Sequence, residues 1–154
     1  MIKFQINAIG KLKKSPVLEL ISSYRCRIKN SLVICEFELK KSAGLPTENL
    51  KLREAELLMS NVPAKSFVFS MDERGELLNS HQFADLLQQK VQQCYSSFVF
   101  IIGGAAGLDK SIHDRSDQIL ALGKMTLPHM LARLVLVEQI YRAECIINHH
   151  PYDK

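Results

Sequence analysis

Gly103-Gly-Ala-Ala-Gly107 follows directly on five apolar residues, Phe98 to Ile102, and a second loop, Leu120-Ala-Leu-Gly-Lys-Met-Thr-Leu-Pro128, comes soon after. A buried strand feeding a glycine-rich turn brings backbone N–H and C=O groups up to a small ligand. Two such turns, both draining into helices, point to one pocket with two walls. The glycine run is not a phosphate loop, which needs Lys-Ser/Thr after the glycines. Nor is it G-x-G-x-x-G, because its third position is Ala105, and it sits on the fourth strand whereas that fingerprint belongs on the first. A plain tight turn is the other reading.

The last helix, His129 to about Ile147, carries the next chemistry. Met130, Leu131, Leu134, Val135, Leu136, Val137, Ile140 and Tyr141 cover nearly its whole circumference, and a helix apolar all round is buried all round. A terminal helix of so short a chain is hard to cover from within, so the pattern implies a partner subunit. Arg133, Glu138 and Arg142 interrupt that surface. Glu138 and Arg142 are four apart and can pair, while Arg133 needs a mate across an interface or in a ligand. An ordinary helix with snorkelling arginines is the alternative. Cys145, His149, His150 and Asp153 could be drawn as a metal site, but nothing else in the chain supplies the spaced ligand pairs of structural zinc, so no metal is expected. There is no Gly-x-Ser-x-Gly elbow, and His81, His113 and His129 stand alone.

The elements that must position these residues alternate. Strands are expected at 2–9, 32–39, 66–71, 98–102 and 119–122. Helices are expected from Pro16 to about Ile28, from an N-cap at Thr47 to about Ser60, from Asn79 or Ser80 through Cys94, and from a cap at Asp109 through Asp117. Asp72-Glu-Arg-Gly75 reads as a turn, and the charged helix after Thr47 as an exposed one. Alternating strands and helices imply a mostly parallel sheet covered on both faces, in one domain spanning 1–154.

With 47% apolar and 23% charged residues, the 154-residue chain has the balance of a soluble globular protein. Its apolar runs are too short for a membrane span, and the N-terminus reads as a strand rather than a signal peptide. Cys26, Cys35, Cys94 and Cys145 include no Cys-x-x-Cys pair and fit buried thiols in a reducing cytoplasm. A net charge of +4 favours an anionic partner only mildly.

Ile101-Ile-Gly-Gly104 with Gly107-Leu108, Lys124-Met-Thr-Leu-Pro-His129, Glu138-Gln-Ile-Tyr-Arg-Ala143 and His150-Pro-Tyr152, together with Ala8-Ile-Gly-Lys11, resemble the RlmH family. These are SPOUT-class, S-adenosylmethionine-dependent methyltransferases of the bacterial large ribosomal subunit. The resemblance implies an α/β fold with a C-terminal trefoil knot, a homodimer packed through the knotted region, and methyl transfer to N3 of a pseudouridine in large-subunit rRNA of the assembled ribosome. It assigns the cofactor to Met71, Gly103 and Gly104, and to the loop Leu122, Gly123, Lys124, Met125, Thr126 and Leu127. Lys124 should turn its ammonium away from the sulfonium. Arg142, Tyr152 and Asp153 are the catalytic candidates; Arg133, Lys154 and Lys11 are candidates for rRNA phosphate. The family's tail usually has His where this chain has Asp153. A catalytically impaired binding dimer and an unrelated α/β nucleotide-binding domain are the rival readings.

Overall fold

In the computed structural model, which describes residues 1–153, the chain alternates strand and helix from end to end: β1 Lys3–Ile9, α1 Pro16–Arg27, β2 Ser31–Phe37, α2 Thr47–Met59, β3 Phe67–Leu77, α3 Ser80–Gln92, β4 Ser97–Ile102, α4 Lys110–Arg115, β5 Gln118–Ala121 and α5 His129–Ile147. The strands form one sheet in the order β2-β1-β4-β3-β5, and every pairing is parallel. A parallel sheet needs cover on both faces, and its central strand β4 is apolar from Phe98 to Ile102. In β4, Phe98, Phe100 and Ile102 enter a core with α1, α3 and α5, while Val99 and Ile101 meet Ala55, Leu58 and Ile112 on the opposite face. Aromatic rings fill the first core; those of Phe69 and Phe100 stack with centroids 4.8 Å apart.

Local signals set the helix starts. Ser15 Oγ accepts from the Leu18 amide ahead of Pro16, and Asn79 with Gln82 forms a reciprocal capping box. Asp109 accepts from the Ser111 amide at the head of α4. Thr47 is not a cap but the first residue of α2, behind Pro46, whose side chain caps nothing.

Three expectations need correction. Asp72-Glu-Arg-Gly75 is not a turn; β3 runs on to Leu77, and its register against β5 shifts between Met71 and Glu76. The bulge absorbs the turn-prone residues, and Glu76 and Leu77 resume pairing with Leu120 and Ala121. A Cβ on Gly75 would lie 2.8 Å from the backbone of Ile119 and Leu120. Gly75→Ala is therefore expected to cost about 1–3 kcal/mol, read as a lower urea midpoint. The charged helix α2 is also not simply exposed, since Glu54 is buried with Ala55 and Leu58. Burial raises the Glu54 carboxyl pKa, and its Oε2 has no hydrogen-bond partner. Of the four thiols only Cys145 is buried; Cys26 and Cys94 are exposed.

The fold itself covers much of α5, which lies between α1 and α3 against the sheet. Leu136, Val137, Ile140, Tyr141, Ala143 and Cys145 are buried there. Met130 and Leu131, at its start, stay exposed beside Met125 and Leu127 of the preceding loop. No helix of the described residues is long and apolar enough to cross a membrane.

Candidate functional site

The carboxyl ends of parallel strands are where α/β sheets present their loops to ligands, and a cavity with a volume of about 800 Å³ lies there. Its walls come from three places. The bulged stretch of β3 contributes Met71 to Arg74, the β4–α4 turn contributes Gly103 through Leu108, and the β5–α5 loop contributes Leu122, Gly123, Met125, Thr126 and Leu127. His129 and Ala132, in the first turn of α5, close it. Eight of the nine residues assigned to a cofactor thus share one cavity. Lys124 does not line it and is exposed.

Each glycine here has its own reason. Gly107 has φ +82°, and its amide donates to the Gly104 carbonyl at 3.0 Å, closing the turn. A Cβ on Gly103 would meet Leu108 Cδ2 at 2.9 Å and Gly107 at 3.1 Å, so the chain's own turn already excludes a side chain. On Gly104 it would meet Ile9 Cγ2 and Glu54 Oε1, each at 3.2 Å. Gly123 differs: nothing of the protein lies within 4 Å of where its Cβ would be. The opposite walls are tied where the Thr126 hydroxyl donates to Glu73.

Asp72 sets the charge at one wall. Its carboxylate accepts from the backbone and side chain of Arg74 and pairs with His113 Nε2 at 3.3 Å. The Ser70 hydroxyl meets the other ring nitrogen of His113 at 3.1 Å. The Arg74 hydrogen bond, chiefly, holds the Asp72 carboxyl down at about 2. An unfolded Asp titrates near ~3.9. The pairing therefore stabilises the fold above about pH 4, and that stability is lost as pH falls towards ~2. Arg74 is largely exposed, which weakens the effect. Asp72→Asn is expected to lower Tm by about 2–4 °C at pH 6 and to leave it unchanged near pH 2.

Arg133 is corrected by the structure. It is fully buried and finds its mate within the chain: Nη1 lies 2.8 Å from Glu36 Oε2 and Nη2 donates to the Gly10 carbonyl at 3.1 Å. A guanidinium so enclosed cannot reach an RNA phosphate. Lys11 is exposed, and Lys154 lies outside the described residues.

Arg142, Tyr152 and Asp153 do come together. Arg142 Nε and Nη2 donate to Glu138 Oε1 at 3.0 and 2.7 Å, and Nη1 donates to Asp153 Oδ1 at 3.1 Å. The guanidinium stands 4.8 Å from the centroid of the Tyr152 ring, whose hydroxyl donates to Glu138 at 2.9 Å. Burial, with hydrogen bonds to Tyr24 and Glu138, pushes the Tyr152 hydroxyl well above its usual range and keeps it neutral. His81 Nε2 approaches Asp153 at 2.9 Å. None of these residues lines the cavity; Ala132 and Arg142 are ten residues apart on α5, about 15 Å at a helical rise.

The sequence signals missed Asp72 with Ser70 and His113, Glu36, Tyr24 and His81. Asp72-x-Arg74 was a local hint at an ion pair. Tyr24 and Tyr152 lie too far apart in sequence for any spacing rule. Among the described residues no three His, Cys, Asp or Glu side chains gather as metal ligands.

The chain is similar to known proteins in sequence and in fold. Across 153 residues the chain is 40% identical to the ribosomal RNA large subunit methyltransferase H of Rhodospirillum rubrum, covering 99% of both chains. It is 36% identical over 153 residues to the protein of that name from Acholeplasma laidlawii, covering 99% of this chain and all of the other. A probable methylase family protein of Haemophilus influenzae superposes with a TM-score of 0.57 at 10% identity, over all of this chain and 72% of that one. A probable methyltransferase of Bordetella pertussis superposes at 0.55 with 12% identity, over 92% and 96%. These two likenesses are of fold. The family described as "Predicted SPOUT methyltransferase" matches residues 2–153, and with end-to-end relatives near 40% identity the chain belongs to the SPOUT methyltransferases.

Proposed function

We propose that this protein is a cytoplasmic rRNA methyltransferase, a single catalytic domain acting as a homodimer, with S-adenosylmethionine as methyl donor and N3 of a pseudouridine in the assembled large subunit as acceptor. The observation that carries this reading is the cavity built from three loops at the carboxyl edge of the sheet. Its size suits a nucleoside-bearing cofactor. Met71, Leu122 and Leu127 offer apolar wall to an adenine, and the glycine turn offers backbone polar groups. Open space at Gly123 leaves room for the ligand. When bound, the cofactor supplies an electrophilic methyl on a sulfonium.

The chain's residues suit that charge. Lys124 keeps its ammonium out of the lining, and Asp72 offsets the charge of Arg74. The acceptor nitrogen must be held about 3–3.5 Å from the methyl carbon. It must also lose its proton, and Asp153 is the base proposed for this, aimed by Arg142. Tyr152, neutral and facing the guanidinium, can stack on the target base. Within one chain this cluster lies too far from the cavity to act on it, so a second copy is proposed to bring its tail to the pocket. Exposed Met125, Leu127, Met130 and Leu131 around the pocket give that copy an apolar surface to cover. A knotted C-terminus, with α5 held between α1 and α3, accords with this packing.

The test is transfer of tritiated methyl from S-adenosylmethionine to large subunits lacking the modification, with the labelled nucleotide then mapped. Label at N3 of one pseudouridine is the expected result; no incorporation into any rRNA would overturn the reading. Transfer that begins only after Asp153→His would favour an impaired binding protein instead.

A further inference from the structure

Arg133 and Glu36 pin a loop that carries three free lysines. The Glu36 oxygen that accepts from Arg133 also accepts from the Leu12 amide at 2.6 Å. Arg133 holds the Gly10 carbonyl, while the Gly10 amide donates to the Phe37 carbonyl at 2.8 Å. Gly10 itself has φ +90°, a conformation other residues adopt at a cost. Residues 10 to 12 are thus fixed from the α5 side and the β2 side together. Lys11, Lys13 and Lys14 are exposed, and none forms an ion pair with a described residue.

This loop lies behind two wall residues of the cavity, His129 and Gly104. A Cβ on Gly10 would be 3.4 Å from the ring of His129, a wall residue, and Ile9 packs on the Gly104 side of the glycine turn. Lysines are compact point charges without the planar fork used to read one specific group. Three of them on a fixed loop suit successive backbone phosphates, which position a nucleic acid without reading its sequence. We infer that the β1–α1 loop is a phosphate-binding arm for the RNA backbone beside the target nucleotide, and that Arg133 and Glu36 are the positioning pair that aims it. The inference rests on the functional reading above.

The full-length protein and large ribosomal subunits lacking the modification test it. In the triple variant Lys11→Gln, Lys13→Gln, Lys14→Gln, loss of three phosphate contacts is expected to weaken kcat/KM on the order of 100-fold at about 0.1 M salt, through KM. The log–log salt dependence should flatten by about two, with S-adenosylmethionine affinity retained. Arg133→Lys keeps the charge but cannot span Glu36 and the Gly10 carbonyl. It should raise KM and speed hydrogen exchange at the Leu12 amide. An unchanged KM and salt slope in the triple variant, or an equal loss of cofactor affinity, overturns the arm. Wild-type exchange and KM in Arg133→Lys overturn the positioning role. If the wild-type protein transfers no methyl, the functional reading fails; direct binding of the same subunits by wild type and triple variant still decides the arm.

Discussion

Arg142→Ala is expected to lower the methyl-transfer rate about 10³-fold and to change the dissociation constant of S-adenosylmethionine less than about twofold. The guanidinium is the hub of the C-terminal cluster, donating twice to Glu138 and once to Asp153 and standing over the Tyr152 ring. Without it Tyr152 still packs on the Tyr141 ring and keeps its hydroxyl contacts with Glu138 and Tyr24, but it loses the cation over its ring. The Asp153 carboxylate loses the donor that aims it and is left with His81. Misplacing a reacting group by about 1 Å costs roughly 10² in rate, and a misdirected general base adds a share of its roughly 10²–10⁴. The cofactor should be indifferent, because no member of the cluster lines the cavity. Arg142→Lys retains charge without the fork and should fall between the two. The decisive measurement pairs single-turnover transfer with equilibrium cofactor binding. Equal losses in both would show that Arg142 supports the fold or the pocket and would remove it from the catalytic proposal.

What could be read from sequence was whatever is decided within a few residues of chain. The unbroken apolar run of β4 predicts its two-faced burial, and Asn79, Asp109 and Pro16 mark helix starts through local hydrogen bonds and dihedral limits. The two loops around the cavity were legible because glycine and proline interrupt apolar runs there. Misreadings fall where a distant partner overrides local preference. Asp72 to Gly75 has turn chemistry, yet a bulge and renewed pairing with β5 keep the strand going. Arg133 was correctly singled out as a charge in an apolar helix that needs a mate. The mate, Glu36, lies 97 residues earlier on a strand where it looks like an ordinary outward-facing carboxylate. Buried Glu54 escaped because its helix is charged on average, and an average says nothing about which residue faces inward. The cluster of Tyr24, Glu138 and Tyr152 is likewise made by packing α5 beside α1, which no periodicity encodes.

Gly123→Val is expected to weaken S-adenosylmethionine binding on the order of 100-fold while leaving Tm within about 2 °C of wild type. The prediction rests on a difference between glycines that look alike in sequence. At Gly103 a new Cβ would press on Leu108 and on the backbone of Gly107, so a larger residue must disturb the protein with or without ligand. At Gly123 the same atom would meet nothing of the protein within 4 Å, although the residue lines the cavity. Its φ lies outside the positive range that penalises side chains. The empty protein should therefore tolerate valine, apart from a modest change in loop entropy. Volume added at that wall competes with the ligand alone, and overpacking by a few methyl groups costs about 1–3 kcal/mol, or roughly 5- to 150-fold in affinity. Gly103→Val supplies the contrast: it should lose stability and cofactor binding together. Calorimetric titration and thermal unfolding of both variants decide the matter. A Gly123→Val protein that binds S-adenosylmethionine as tightly as wild type would show that the cofactor does not occupy this wall, and the assignment of the β5–α5 loop to its binding would fall.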